Sequence, residues 1–160
     1  MITFHDLYES HAADVYRFAY WLTGHQADAE DITSETFVRA WVGRERIQVE
    51  TVKAYLLTIA RHLYLKQRQK AQRWQALAET EVDREAVPET QVAERLTLQQ
   101  VGQLLQALPE VDRTVFMLHA QHELSYTDIA QITGVTVAAA KVKVHRVRLK
   151  LAASGLKEIV

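Results

Sequence analysis

The chain has 160 residues, 48% of them apolar and 24% charged, which suits one medium core or two small ones. Five glycines and two prolines leave few breaks, so long helices are expected and a turn-rich β-sandwich is excluded. The absence of cysteine removes a disulfide framework, a thiolate metal site and a cysteine nucleophile. No apolar run approaches the ~20 residues of a membrane span, and the N-terminus MITFHDLYES lacks a basic-then-apolar signal. A soluble, cytoplasmic protein with no membrane insertion is expected.

The net charge of −1 conceals strong blocks. Residues 1–41 carry −5, 42–73 carry +6, 74–100 carry −4, 101–135 carry −3 and 136–160 carry +5. Two basic segments set apart by acidic ones suggest two contacts with an anion, nucleic acid first among candidates. A solvated helix face would account for one such block, but less readily for two that both coincide with candidate binding helices.

In chain order, the first helix is expected from about Thr3 to Leu22. Leu7, Val15, Phe18, Ala19 and Leu22 share one face, and Gly24 is a natural stop. A second helix is expected over about 27–42, with Ile32, Thr36, Phe37, Ala40 and Trp41 inward and Asp28, Glu30 and Asp31 at the positive end of its dipole. After a connection at 43–50, a third helix carries Val52, Leu56, Ile59, Ala60 and Leu63 on its apolar stripe and grows basic through Arg61, Lys66, Arg68, Lys70 and Arg73. From Gln75 to Val92 the segment is acidic, contains Pro88 and has few large apolar residues, as a tether between domains would. Leu98, Val101, Leu104, Leu105 and Leu108 then form an amphipathic helix. Pro109 suits the first turn of the next helix, whose apolar face is Val111, Val115, Phe116 and Leu118.

Residues 125–153 carry the most information. Ser125 and Thr136 are both placed to cap helices, with Ala130 small enough for close approach and Gly134 supplying the turn between them. On the second of these helices Ala140, Val144, Val147 and Leu151 form one stripe, leaving Lys141, Lys143, His145, Arg146 and Arg148 mostly off it. A helix-turn-helix whose second helix presents cations outward suits a DNA major groove.

Three segments resemble bacterial RNA polymerase sigma factors of the sigma-70 family. ALPEVDR (107–113), SYTDIAQITGV (125–135) and KVKVHRVR (141–148) are similar to sigma domain four. DAEDITSETFVRAW (28–41) resembles the polymerase-binding helix of domain two, and AYLLTIARH (54–62) resembles the start of its promoter-melting helix. The likeness covers about residues 4–72 and 97–153, in the family's order and spacing, and is to the extracytoplasmic-function (ECF) class.

The resemblance implies an all-α fold of two small helical domains joined by a flexible acidic linker: domain two at 1–73, linker at 74–94, domain four at 95–160. It implies core RNA polymerase and promoter DNA as partners, together with an anti-sigma factor. Asp28, Glu30, Asp31, Glu35 and Arg39 would meet core polymerase. Lys53, Arg61, His62, Lys66 and Arg68 would meet the minus-ten element as single-stranded DNA. Thr136, Ala138, Ala139, Lys141, Lys143 and Arg146 would meet the minus-thirty-five element as duplex. Tyr55 stands where the family usually has Trp, Lys66 replaces a common acidic residue, and Ala139-Ala140 replaces a frequent Thr-Val, removing a hydroxyl contact to DNA.

No catalytic residue, cofactor or metal is expected. There is no Gly-rich phosphate loop, no Gly-x-Ser-x-Gly elbow and no His-Glu-x-x-His, and the spacing of His119 and His122 supplies two ligands without a third. Two rivals remain: a helix-turn-helix regulator that binds duplex DNA without polymerase, and a helical adaptor whose basic faces bind acidic proteins. The first leaves the basic stretch 53–73 beside the acidic DAED helix unaccounted for. The second need not show the steep salt dependence of DNA binding.

Overall fold

A computed structural model describes residues 3–47, 52–78 and 93–155. The regular structure among them is helical: α1 Phe4–Thr23, α2 Gln26–Val42, α3 Val52–Ala78, α4 Ala93–Ala107, α5 Glu110–Ala120, α6 Tyr126–Thr133 and α7 Val137–Ala153, with a short 3-10 turn at Arg44–Arg46.

Local chemistry sets the helix ends. Thr3 Oγ1 accepts from the Asp6 amide at 3.1 Å while an Asp6 carboxylate oxygen accepts from the Thr3 amide at 3.3 Å, a reciprocal cap on α1. At its other end Gly24 adopts φ +73°, and its amide donates to the Tyr20 carbonyl. The buried residues of α1 are Leu7, Val15, Phe18, Ala19 and Leu22, the face that the spacing predicts. In α2 the interior takes Ala29, Ile32, Thr33, Thr36, Phe37 and Ala40. Trp41 is only half-buried, with Phe4 edge-on at 5.7 Å and the Arg44 guanidinium 4.3 Å above its ring. Thr33 and Thr36 lie buried because each hydroxyl donates to the carbonyl four residues back, satisfying both groups.

Helix α3 departs from its expected stripe. Val52, Leu56 and Ala60 are buried as anticipated, and Ile59 and Leu63 are half-buried. Leu57, Arg61 and Tyr64, spaced four and three apart, are also buried and define a second covered face. The helix continues to Ala78, past the expected domain end at residue 73. Of the expected linker 74–94, residues 79–92 lie outside the described residues.

In the C-terminal half, α4 buries Val101 and Leu105, whereas Leu98 at its start is exposed. Pro109 is the N-cap of α5, one position before the first turn. The helix-turn-helix is built from α6 and α7: Ser125 Oγ accepts from the Asp128 amide at 3.1 Å and Thr136 Oγ1 from the Ala139 amide at 3.0 Å. Ala140, Val144, Val147 and Leu151 are the buried residues of α7, as predicted. α1, α2 and α3 pack on one another, and α5, α6 and α7 do likewise. The two halves then share one core, because α1 and α3 also pack against α4, α5 and α6. Each fully buried side chain the size of Phe18 or Leu118 contributes about 1.5–3 kcal/mol, so a shared core offsets the small size of either half.

Gly134 sits at φ +78°, and a Cβ added there would meet no atom within 4 Å, so strain from a side chain would be purely backbone. Gly134→Ala is expected to cost about 1 kcal/mol from the left-handed conformation alone. Thermal denaturation should show Tm falling by about 2–4 °C for a chain of this length.

Candidate nucleic-acid interface

The acids of α2 stand mostly in solvent. Glu30, Asp31 and Glu35 are exposed and Asp28 half-buried, and Glu35 accepts from Arg39 Nε at 3.0 Å, one helical turn on. Asp31 and Glu35 line a groove of about 870 Å³ together with Lys66, Lys70 and Arg73 of α3. An acidic wall and a basic wall thus border one channel, with Val38 exposed along it.

The five basic candidates of the third helix separate into two groups. His62, Lys66 and Arg68 are exposed. Trp74, which the sequence reading did not single out, is exposed and borders a hollow with Arg68 and Lys70. Its signal was present: a lone aromatic directly following a run of cations. Lys53 and Arg61, by contrast, are engaged within the protein. Lys53 Nζ donates to the His122 carbonyl at 3.0 Å and lies 3.8 Å from an Asp14 carboxylate oxygen.

Arg61 is the clearest departure from expectation. It is 8% exposed, and its Nε and Nη2 donate to the two carboxylate oxygens of Glu110 at 3.0 and 3.1 Å. Thr114 Oγ1 donates to the same carboxylate at 2.8 Å. Helical spacing puts Arg61 just beside the apolar stripe; the arrival of α5 and α6 buries it, with Nη1 also donating to the Ile132 carbonyl at 3.5 Å. Next to this pair, Arg113 Nη2 donates to the Tyr64 hydroxyl at 2.6 Å. Glu110, Arg113 and Thr114 stand outside the apolar face expected for this helix, and all three are buried here.

Helix α7 presents Thr136, Ala138, Lys141 and Arg146 to solvent, with Ala139 half-buried. Lys143 turns back instead, donating to Asp112 of α5 at 2.6 Å, so it braces the helix rather than facing outward. Tyr126 of α6 stacks on His119 with ring centres 4.7 Å apart, and Lys141 Nζ stands 5.7 Å from the tyrosine ring centre. The outward cations are therefore carried on a helix tied to both α5 and α6.

His119 and His122 diverge. His119 lies on Tyr126, whereas His122 is buried with its ring edge-on to Phe18, 5.6 Å centre to centre, and neither ring nitrogen has a hydrogen-bond partner. Burial, reinforced by the Lys53 charge, lowers the His122 pKa to about 4.

Comparison with known proteins places these surfaces in context. Residues 7–74 match sigma-70 region 2, and residues 98–151 match sigma-70 region 4. The chain is 30% identical over 145 residues to the ECF RNA polymerase sigma factor SigL of Mycobacterium tuberculosis, covering 87% of this chain and 81% of SigL. The chain belongs to the sigma-70 family, in its ECF class. This sigma factor is also 33% identical over 157 residues to the ECF RNA polymerase sigma factor SigE of Mycolicibacterium smegmatis, but spans only 61% of SigE's length. Its fold is similar to that of the sigma factor RpoE from Bartonella quintana, solved with the anti-sigma factor NepR, at a TM-score of 0.77 and 24% identity over 95% of this chain and 92% of RpoE. Among the described residues of the sigma factor, no helix is long and apolar enough to cross a membrane.

The orphaned imidazole sets a pH dependence. An unfolded His122 titrates near 6.5 and the folded one near 4, so the folded state disfavours the charged ring. The stability from the neutral ring is complete above pH 6.5, declines as pH falls below it, and is lost below about 4. Between pH 7.5 and 5 the sigma factor should lose about 2 kcal/mol from this group, which a His122→Leu variant would not lose. Urea titrations of both proteins at the two pH values measure that difference. Equal losses in the two would remove His122 as its source.

Proposed function

We propose that this ECF sigma factor directs core RNA polymerase to promoters through three separate surfaces. The observation that carries the division is the placement of charge: an exposed acidic row on α2, exposed cations with an aromatic on the distal part of α3, and a capped helix-turn-helix presenting Lys141 and Arg146 on α7. Asp28, Glu30, Asp31, Glu35 and Arg39 dock on polymerase, whose complementary surface is basic. His62, Lys66 and Arg68 line the path of the melted minus-ten strand, and Trp74 adds a face on which an unpaired base can stack. Thr136, Ala138, Ala139, Lys141 and Arg146 enter the major groove of the minus-thirty-five element, with Ala139 suited to a thymine methyl.

On this reading the protein acts in the cytoplasm by binding, without a reaction of its own. An anti-sigma factor, such as the one bound to RpoE, would hold it inactive by covering both halves.

Run-off transcription on a fragmented library from the source genome, with and without the protein, tests the reading. Discrete protein-dependent starts sharing two upstream motifs at fixed spacing are expected; their absence with folded protein would overturn it. Lys141→Ala with Arg146→Ala should weaken minus-thirty-five binding about tenfold or more and flatten its salt dependence, with polymerase affinity retained. Asp31→Lys should do the opposite, impairing polymerase association in a pull-down while leaving duplex binding by α7 unchanged.

A further inference from the structure

Lys143 stands apart from the other cations of α7. Its Nζ donates to an Asp112 carboxylate oxygen of α5 at 2.6 Å, with each side chain about a quarter exposed. The pair thus lies at the edge of the contact between α5 and α7, where solvent reaches it. Helical spacing fixes what stands around it. Ala139, Lys143, Arg146 and Lys150, spaced four, three and four apart, run down one flank of α7. Arg146 and Lys150 are exposed, whereas Lys143 is half-buried. Opposite the buried stripe of the helix lie Ala138, Val142, His145 and Leu149, all exposed. The outermost line therefore carries no lysine or arginine, and those cations sit on its flanks. In a major groove the outermost line meets base edges, and the flanks meet phosphates.

We propose that Asp112 is a positioning residue for promoter readout: by holding Lys143 against α5 it withholds one cation from the DNA backbone and keeps binding by α7 dependent on base sequence. This role rests on the assignment of α7 to duplex DNA and adds a determinant of specificity on a different helix. A phosphate contact strengthens binding to every sequence, because backbone charge does not vary with the bases. Lys143 has the reach for such a contact, with a flexible four-carbon stem on the same flank as Arg146. Asp112 presents it with a carboxylate oxygen, an acceptor of the same kind as a phosphate oxygen. The cation is already satisfied when DNA arrives.

The same bond fixes the angle of α7 on α5. A helix released from it meets the base edges in more than one register, which blurs the readout. Both consequences of losing Asp112 act in one direction. Affinity for any duplex rises, and preference among duplexes falls.

Anisotropy of the full-length protein with a fluorescein-labelled duplex of randomised sequence, over a series of salt concentrations, measures the first consequence. Asp112→Ala should raise affinity at low salt about fivefold and steepen the slope of log affinity against log salt by about 0.9, the value for one added phosphate contact. Adding Lys143→Ala to that variant should return the slope to the parent's. Asp112→Glu, which keeps a carboxylate for Lys143, should retain it throughout. Glu123→Gln, an exposed change after α5, alters net charge equally without freeing Lys143 and should leave the slope as it is. Asp112→Asn repeats the measurement if Asp112→Ala does not fold.

Selection from a library of randomised duplexes measures the second consequence. The parent should enrich one motif, and Asp112→Ala a flatter version at the same positions. A slope unmoved in the Asp112 variants, or moved as far in Glu123→Gln, would overturn the withholding of Lys143. A steeper slope with an equally sharp motif would overturn the role in specificity. A parent that binds no duplex would overturn the assignment of α7 itself, and the role of Asp112 with it.

Discussion

Helix α3 has to satisfy two neighbours at once, and the rest of the molecule is arranged around that demand. One side of the helix, through Val52, Leu56 and Ala60, completes the bundle with α1 and α2. Another, through Leu57, Arg61 and Tyr64, accepts the C-terminal half. A guanidinium cannot be buried without a partner, since the uncompensated charge costs several kcal/mol. Glu110 meets that requirement with both carboxylate oxygens, and Thr114 with its hydroxyl secures Glu110 in turn. The junction is therefore specific in register: a shift of one residue along α5 would leave both charges unpaired.

The charge blocks along the chain acquire a spatial meaning from this arrangement. The acids of α2 and the cations of α3 are far apart in sequence, and in space Asp31 and Glu35 share one groove with Lys66, Lys70 and Arg73. Their proximity does not collapse into ion pairs. The α2 acid that is paired takes its partner from its own helix, Glu35 with Arg39. On α7 the cations divide differently: Lys143 is held by Asp112 and braces the helix, while Lys141 and Arg146 stay outward. Such a partly exposed ion pair adds about 1 kcal/mol at most, so its value lies in orientation more than in stability.

Membership of the ECF sigma class and the packing of the two halves are complementary facts. The chain matches two separate regions of the family, region 2 and region 4, and here both contribute to one continuous core. His122 lies in that shared core with neither nitrogen satisfied, against Phe18 and beneath the Lys53 bond to its own carbonyl. Asp14 and Arg17 of α1 also act on it, with opposing signs. A neutral imidazole held this way makes the junction less tolerant of acid than a purely apolar contact would be.

Much of the fold was legible from spacing alone. The inward faces of α1 and α7, the caps at Thr136 and Ser125 and the left-handed turns at Gly24 and Gly134 all follow from rules that act within about four residues. So did the cations of α7 other than Lys143, and the acids of α2. What sequence reasoning missed at the junction of the two halves lies on α3 and α5: Leu57, Arg61, Tyr64, Glu110, Arg113 and Thr114. These residues sit beside an apolar stripe, where a solvated polar face and a second interface share the same periodicity. A helix in isolation presents Arg61 to water. Only a carboxylate delivered from 49 residues away decides that it is buried, because burial of a charge depends on a partner's position in space and not on its neighbours along the chain.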